Sequence, residues 1–332
     1  RTRPGMIERK LAYRPGELFS EAKILESERR IERMAYVDIG APYDIEAFAE
    51  GESLYIVHNI TEQPSTRFDG AGGLASMQWK ETFVGRINIE FGDILGTGRA
   101  FDLNWNRKDR WSNELSIGYL EPYALGSLFD LKFELSQIDQ DTLFVRSAVG
   151  AGLMWEFQSG LAGAVWLGVE RIIPEREAGL STTRSARGEF AFDRTDEPGN
   201  PQTGYVISSN AAYKRRSNFL PDSVALDLPT KLTSAGLRMQ YFLGISRRFV
   251  MALAAGGWGI IDSDGHVPAD ELFYLGGFEN LRGYAERRFP AYRYFLGTVE
   301  PRILTGKDGR VYAFVDLAQI KGSQTSSFDY KF

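Results

Sequence analysis

Residues Glu271 to Phe289 read ELFYLGGFENLRGYAERRF, between two runs that each read as a long β-strand. The segment is too long, and too rich in glycine and aromatic residues, for a simple hairpin turn. Connections of this length inside a compact domain are usually functional. At its centre stand Leu281, Arg282, Gly283 and Tyr284. A guanidinium is a planar fork of donors suited to buried carboxylates, and the adjoining glycine lets the backbone press close against a wall. The stretch therefore reads as a loop tucked inside something built by its neighbours.

Those neighbours are strands. From about Asp69 onward the chain repeats strand-like runs separated by polar or glycine-rich turns. Ile87, Ile89 and Phe91 share one face and Arg86, Asn88 and Glu90 the other; Phe101, Leu103 and Trp105 likewise oppose Asp102, Asn104 and Asn106. Such alternation suits a soluble sandwich, with its apolar face on a core, and equally a membrane barrel, with its apolar face on lipid. Strand length separates the two. Thirteen segments are spaced near 70–79, 84–95, 99–107, 112–121, 127–139, 143–157, 160–173, 185–194, 204–215, 231–244, 248–261, 291–304 and 310–320. Many exceed the roughly five or six residues of a soluble strand and approach the roughly 9 to 11 that cross a bilayer at a tilt. The pattern predicts a membrane all-β fold, an antiparallel transmembrane β-barrel. Tyr119, Tyr123, Trp155, Trp166, Tyr205 and Tyr213 lie near strand ends, where interfacial girdles place aromatics.

Composition narrows the function classes. The 332 residues carry a net charge of −5 and no cysteine, which excludes disulfides and thiolate metal sites. Only His58 and His266 supply imidazole, and no Lys/Arg stripe stands clear of acidic neighbours, so nucleic acid is not a partner. The longest nearly apolar run, Phe249 to Ile261, is interrupted by glycines and is shorter than the roughly 20 residues of a membrane helix. Barrel strands escape that test, because their alternation keeps average hydropathy low. No signal peptide is visible and the chain opens at Arg1 without methionine, which suggests a mature or trimmed protein.

The first part differs from the rest. Pro4 leads a short helical pattern through Leu11, broken at Arg14, Pro15 and Gly16. Ser20 can cap a second helix with Glu21 at its positive end and Arg29, Arg30 and Arg33 near its close; Ile24, Leu25, Ile31 and Met34 are expected on one stripe. Strand-like runs follow around Tyr43 to Phe48 and Ser53 to Ile60. The result is a small α/β unit over 1–64, followed by strands over 65–332. Taken alone, the unit could be a generic docking domain.

Signatures of catalysis are sparse. There is no G-x-S-x-G elbow, H-E-x-x-H or P-loop, and Asp262-Ser263-Asp264-Gly265 hints at calcium without the remaining loop ligands. No nucleophile neighbours either histidine in sequence. A hydrolase triad assembled across strands stays open as an alternative.

At this point the residues resemble a family. Glu26 to Val37, ESERRIERMAYV, resembles the end of a POTRA domain, and Leu95 to Arg99 with Glu121 to Tyr123 look like early barrel hairpins of the BamA/TamA outer-membrane insertase superfamily. Phe192, Asp193, Arg194, Thr195 and Asp196, then Asn200, Pro201, Gly204 and Tyr205, are similar to its mid-barrel motif. Leu281 to Tyr284 matches its inward-folded sixth extracellular loop. The pieces occur in the family's order across nearly the whole chain.

The resemblance implies that acidic residues on the next two strands hold the loop arginine, and Glu300 and Asp316 match those positions. Parity agrees, since Leu296, Thr298 and Glu300 share a face, as do Phe314 and Asp316. It implies a sixteen-stranded barrel of which about thirteen strands are present, so the closing strands after Asp316 and the first POTRA strand before Arg1 are expected beyond this chain. It also implies a mechanical role: folding client barrels into the outer membrane of a Gram-negative bacterium, the N-terminal domain lying in the periplasm. The first strand, about Gly70 to Gln78 with Gly72, Gly73 and Leu74, would form a weak lateral seam to which client strands add. The implied partners are outer-membrane lipids, unfolded outer-membrane or secreted proteins, accessory lipoproteins and periplasmic chaperones, with no cofactor. Other relatives with this architecture are two-partner secretion transporters and the barrel anchors of patatin-like phospholipases; a passive porin is the plainest alternative.

Overall fold

The computed structural model describes the chain except residues 33, 35, 48–53, 78–79, 108–111, 141–143, 158–159, 175–179, 198, 220–228, 263–266, 269–270, 279, 286–287, 307–308, 323–328 and 332. Arg33, Phe48, Ser53, Gln78, Ser263, Asp264, Gly265 and His266, named above, lie outside the described residues. The chain divides into two compact units, Arg1–Val149 and Gly150–Phe332.

The first unit opens with α1 (Pro4–Glu8), α2 (Glu21–Glu32), β1 (Val37–Ala47) and β2 (Leu54–Glu62). The last two pair antiparallel, from Val37 opposite Glu62 to Ala47 opposite Leu54. Ile24, Ile31, Met34 and Val37 are buried, but Leu25 is 42% exposed, because it sits about 100° around the helix from Ile24. Ser27 takes its place on the buried stripe. Its hydroxyl donates to the Lys23 carbonyl at 2.7 Å and accepts the Ala12 N–H at 2.8 Å, so a polar group inside the core is paired.

This α/β piece is tied to the first turns of the sheet that follows, which comprises β3 (Thr66–Met77), β4 (Lys80–Ile94), β5 (Arg99–Arg107), β6 (Ser112–Glu121) and β7 (Phe129–Gln140). The Arg3 N–H donates to the Gly96 carbonyl at 2.9 Å, the Thr2 hydroxyl donates to Asp93 at 2.6 Å, and the Arg9 guanidinium lies 4.6 Å from the Tyr123 ring centroid. Gly96 has φ +73°, and a Cβ there would fall 2.1 Å from the Arg1 carbonyl oxygen, so this turn needs glycine. Burial of Tyr36 and the nearby Asp93 carboxylate push its phenol pKa well above the usual value. The folded state therefore keeps a proton that the unfolded chain loses near pH 10 or so. Stability of this unit is expected to be flat below that pH and to fall as pH rises beyond it, with Tyr36→Phe flattening the fall in an alkaline unfolding titration.

The strands of the first unit form an antiparallel meander in sequence order, β3-β4-β5-β6-β7. β8 (Phe144–Phe157) carries the chain into the second unit. There follow β9 (Leu161–Pro174), β10 (Leu180–Asp193), β11 (Gly204–Phe219), β12 (Thr230–Gly244), β13 (Phe249–Asp262), the short pair β14 (Phe273–Leu275) and β15 (Phe289–Ala291), then β16 (Arg293–Leu304), β17 (Arg310–Tyr312), β18 (Val315–Lys321) and β19 (Asp329–Lys331). Here too the meander is sequential, from β9 to β13, then β16, β18 and β19, with β17 on the end of β16. Among the described residues β14 and β15 pair only with each other, as a small hairpin inside the long loop. Strands of 14 to 16 residues, as in β10, β11 and β13, are long enough to cross a bilayer.

Exposure decides what alternation left open. On β12, Leu237, Met239, Tyr241 and Leu243 are all between 44% and 49% exposed, whereas Leu232 and Phe242 of the opposite face are buried. Val165, Leu167 and Val169 on β9, and Val315 and Leu317 on β18, repeat the pattern. In the first unit, register sets Asn88 opposite Asn104 and Glu90 opposite Asp102, with Ile89 opposite Leu103 and Phe91 opposite Phe101 on the other face. A sandwich would bury the apolar face; here apolar side chains face outward, as in a sheet surrounded by lipid.

Two expectations need correction. Trp166 does not belong to an outer girdle, because it is on the buried face, laid against Gly152 with the Arg187 guanidinium 5.2 Å from its ring. Tyr123 sits in a turn beneath Arg9. The segment 310–320 is two strands, interrupted at Ala313 and Phe314, where the Ala313 N–H donates to the carbonyl of Pro301 at 3.2 Å. Pro301 has no N–H to return to a ladder.

Indole rings fill the space left beside several glycines. A Cβ on Gly236 would lie 2.0 Å from Trp258, whose ring is held from the other side by Tyr294 at a centroid distance of 5.0 Å. Gly236→Ala is expected to overpack the site by about 1–3 kcal/mol, read as a lower unfolding temperature of the folded, heat-modifiable form.

Candidate functional site

The loop between β13 and β16 is held by its own short hairpin and by packing against the inner face of the strands after it. Leu275, Leu281 and Ala291 are almost fully buried in one cluster with Ala318 and Ile320 of β18. Asn280 shapes the turn: its Oδ1 accepts the N–H groups of both Gly276 and Leu281 at 2.7 Å. Gly283 has φ +89°, a left-handed conformation that costs glycine nothing. Tyr284 is 40% exposed and meets Phe289 edge-on at 5.1 Å. At the loop's root, Lys214 of β11 pairs with Glu271 at 2.6 Å.

Arg282 is thereby delivered to two carboxylates that are distant in sequence. Its Nε and Nη2 donate to the two oxygens of Asp316 at 2.8 and 2.7 Å, a bidentate pair, and its backbone N–H donates to the same residue at 3.2 Å. Nη1 donates to Glu300 at 2.9 Å. The guanidinium carbon also lies 3.7 Å from the Phe314 ring centroid, within cation–π range. Register explains the convergence: Thr298 of β16 faces Asp316 of β18 directly, and its hydroxyl donates to Asp316 at 2.9 Å. The other oxygen of Glu300 accepts Arg302 Nε at 2.7 Å.

Each oxygen of both carboxylates thus already accepts a donor. A saturated set of this kind fits a latch better than a metal site, which needs oxygens free to coordinate. Thr298, Arg302, Phe314 and Asn280 complete the cluster. Arg302 was legible from parity, being two positions beyond Glu300 on the same strand, and Phe314 from its place on the face of Asp316. The contribution of Asn280 depends on the turn and had no signal in the pattern.

The other expected site residues lie elsewhere. Phe192, Asp193, Arg194, Asp196 and Gly204 build the β10–β11 turn. Asp193 Oδ1 accepts the Thr195 N–H at 2.9 Å, Asp196 Oδ1 accepts the N–H groups of Gln202 and Thr203, and a Cβ on Gly204 would meet the Arg194 carbonyl oxygen at 2.1 Å. Buried Asn200 joins this turn to the β16–β17 turn by donating to the carbonyls of Gly306 and Gly309. These residues shape backbone and are not brought to Arg282. Gly70, Gly72, Gly73 and Leu74 lie on β3, opposite Ile87, Gly85, Val84 and Phe83. His58 contacts the Tyr13 hydroxyl at 2.9 Å and faces Glu28 at 3.6 Å, inside the small α/β piece.

Comparison with known proteins adds the following. The sequence profile described as the Omp85 superfamily domain matches residues 144–332, which include Arg282, Glu300 and Asp316. A Treponema pallidum (strain Nichols) protein, provisionally named an outer membrane protein assembly factor, is 26% identical over 183 residues, covering 48% of this chain and 20% of that protein. Among solved structures, BamA from Haemophilus ducreyi lacking POTRA domains 1–3 is similar with a TM-score of 0.58 and 16% identity over 97% of this chain and 70% of that one. CdiB from Acinetobacter baumannii is similar with a TM-score of 0.59 and 14% identity over 98% and 62%, and CdiB from Escherichia coli with 0.58 and 14% over 97% and 64%. The structural likenesses establish the fold as an antiparallel transmembrane β-barrel with a small N-terminal α/β portion. The chain spans about a fifth of the length of the Treponema relative.

Proposed function

Because the chain belongs to the Omp85 superfamily, we propose that it is the membrane part of a bacterial outer-membrane assembly factor that folds client barrels through a lateral seam. The observation that carries this reading is β3. It is the terminal strand of its sheet and pairs with β4 along one edge; the other edge is the one at which a closing strand would join. Gly70, Gly72 and Gly73 give a closing strand little side chain to pack against, and Phe68 and Leu74 are exposed by 72% and 70%. A glycine-rich strand that holds its closing neighbour weakly can open into a template to which an extended client segment adds by main-chain hydrogen bonds, tolerating many sequences.

The rest of the reading follows from this step. Residues 1–64 act as a POTRA domain in the periplasm, where they receive unfolded outer-membrane proteins from chaperones and contact accessory lipoproteins. The loop latched by Arg282 keeps the barrel interior in one arrangement while the seam works. No bond is made or broken in the client, so neither cofactor nor metal takes part and the chain is not itself an enzyme. The test is reconstitution of the full-length protein in vesicles with an unfolded client barrel, scoring folded client by its heat-modifiable gel mobility. Acceleration over protein-free vesicles is expected. Export of an extended chain into the vesicle lumen, without folded client, would instead assign it to two-partner secretion, and lipid hydrolysis would make it the anchor of a phospholipase.

A further inference from the structure

On the outward face of the second unit, at the end of the strands that carries the long loop, lies a groove of about 390 Å³ lined by Ala235, Gly257, Gly259, Arg293, Phe295 and Lys321. Its floor is empty for no packing reason. Whereas Gly236, Gly152 and Gly163 are each covered by an indole, a Cβ on Gly257 or Gly259 would make only ordinary contacts of 3.6 Å or more. Its rim is charged. Arg293, the first residue of β16, stands directly opposite Lys321, the last of β18, and both side chains are exposed.

Directly opposed residues of an antiparallel pair hold their Cβ atoms about 5 Å apart, and like charges in that position repel. Neither cation forms an ion pair among the described residues; in the neighbouring β19 Asp329 stands opposite Lys321 and Lys331 opposite Gln319, so one carboxylate offsets one of three cations and the strand end stays net positive. Two facing cations at a strand end, above an apolar trough, are complementary to a ligand with an anionic head and a hydrocarbon tail. We propose that this groove binds a net-anionic phospholipid, its phosphate bridging Arg293 and Lys321 and one acyl chain lying over Gly257 beside Phe295. Neutralising the pair would also relieve repulsion between β16 and β18, the two strands that carry Glu300 and Asp316, so bound lipid would steady the same strands that hold the loop.

The full-length protein is to be reconstituted in mixed phosphatidylglycerol and phosphatidylcholine bilayers, extracted in neutral detergent, and weighed by native mass spectrometry with its retained lipids. Phosphatidylglycerol is expected to be retained in preference to phosphatidylcholine, and R293Q/K321Q to lower that retention about tenfold, the equivalent of one charge-assisted hydrogen bond. Gly257→Leu keeps both charges but fills the trough, and it should lose the lipid as well; R293K keeps the charge and should keep the lipid. Equal retention of both lipids by the wild type, or unchanged retention in Gly257→Leu, overturns the proposal. Displacement of the adduct by inorganic phosphate alone would assign the cations to a free anion, and a lipid-free dimer would assign the groove to a second copy; either result overturns it. Lipid retention is read without any client, so its failure leaves the assembly role untouched.

Discussion

Arg282→Ala is expected to release the loop between β13 and β16 while leaving the strands assembled. The substitution leaves Asp316 with only the Thr298 hydroxyl and the backbone N–H of position 282, and Glu300 with only Arg302. Both carboxylates are largely buried, the side chain of Asp316 being 3% exposed. Removing one partner from a buried ionic set costs about 3–5 kcal/mol, because the remaining charges are desolvated without compensation. Set against the local stability of the loop, this raises the open population by roughly a hundredfold or more. Protease cleavage within 263–292 should accelerate by that order, and the unfolding temperature in detergent should fall. Arg282→Lys should recover only part of the loss, since an ammonium cannot reproduce the two parallel bonds to Asp316. Unchanged cleavage and unchanged melting would mean that the buried apolar cluster of Leu275, Leu281 and Ala291 holds the loop unaided.

The second large effect is expected at the seam. Cysteine at Gly73, where a Cβ meets nothing within 4 Å, can be paired with a cysteine on whichever strand closes against β3 in the full-length protein. This chain has no native cysteine to compete. Gly72 is the poorer position, because a Cβ there would come within 2.8 Å of the Phe83 ring. A disulfide needs Cα atoms about 4.4–6.8 Å apart, so its formation itself reports that the two strands are neighbours. Oxidised protein should fold client barrels no faster than vesicles without protein, and reductant should restore the rate. Full activity in the cross-linked state would remove the seam from the mechanism and leave the inner face of the strands as the working surface.

These two sites differ in how they relate to the primary structure. Alternation of side chains is a property of an extended backbone, so Ile87, Ile89 and Phe91 were bound to share a face whatever surrounds them. The same parity put Glu300 on one face with Leu296 and Thr298, and Asp316 on one face with Phe314. Long strands, the glycine content of β3 and the Leu281–Tyr284 motif are also local, and all were legible. What alternation could not say is which face is outside. Exposure of Leu237, Met239, Tyr241 and Leu243 answered that, and it depends on every neighbouring strand at once.

The amino-acid sequence by itself determined the membrane β class, most of the strand positions and the loop, because each follows from spacing along one strand or from a contiguous motif, whereas Glu300 and Asp316 as partners of Arg282 were implied by the family resemblance, with which parity agreed. Only the tertiary structure decided that Trp166 turns inward, that Ser27 rather than Leu25 lies in the helical core, that Pro301 splits the following strand, and that Arg293 meets Lys321 above an empty trough. Such contacts join residues far apart in the chain, Arg282 and Asp316 being separated by 34 positions, and they exist only once the register between strands is set. Register is the sum of many weak pairings along two strands. No single residue carries it.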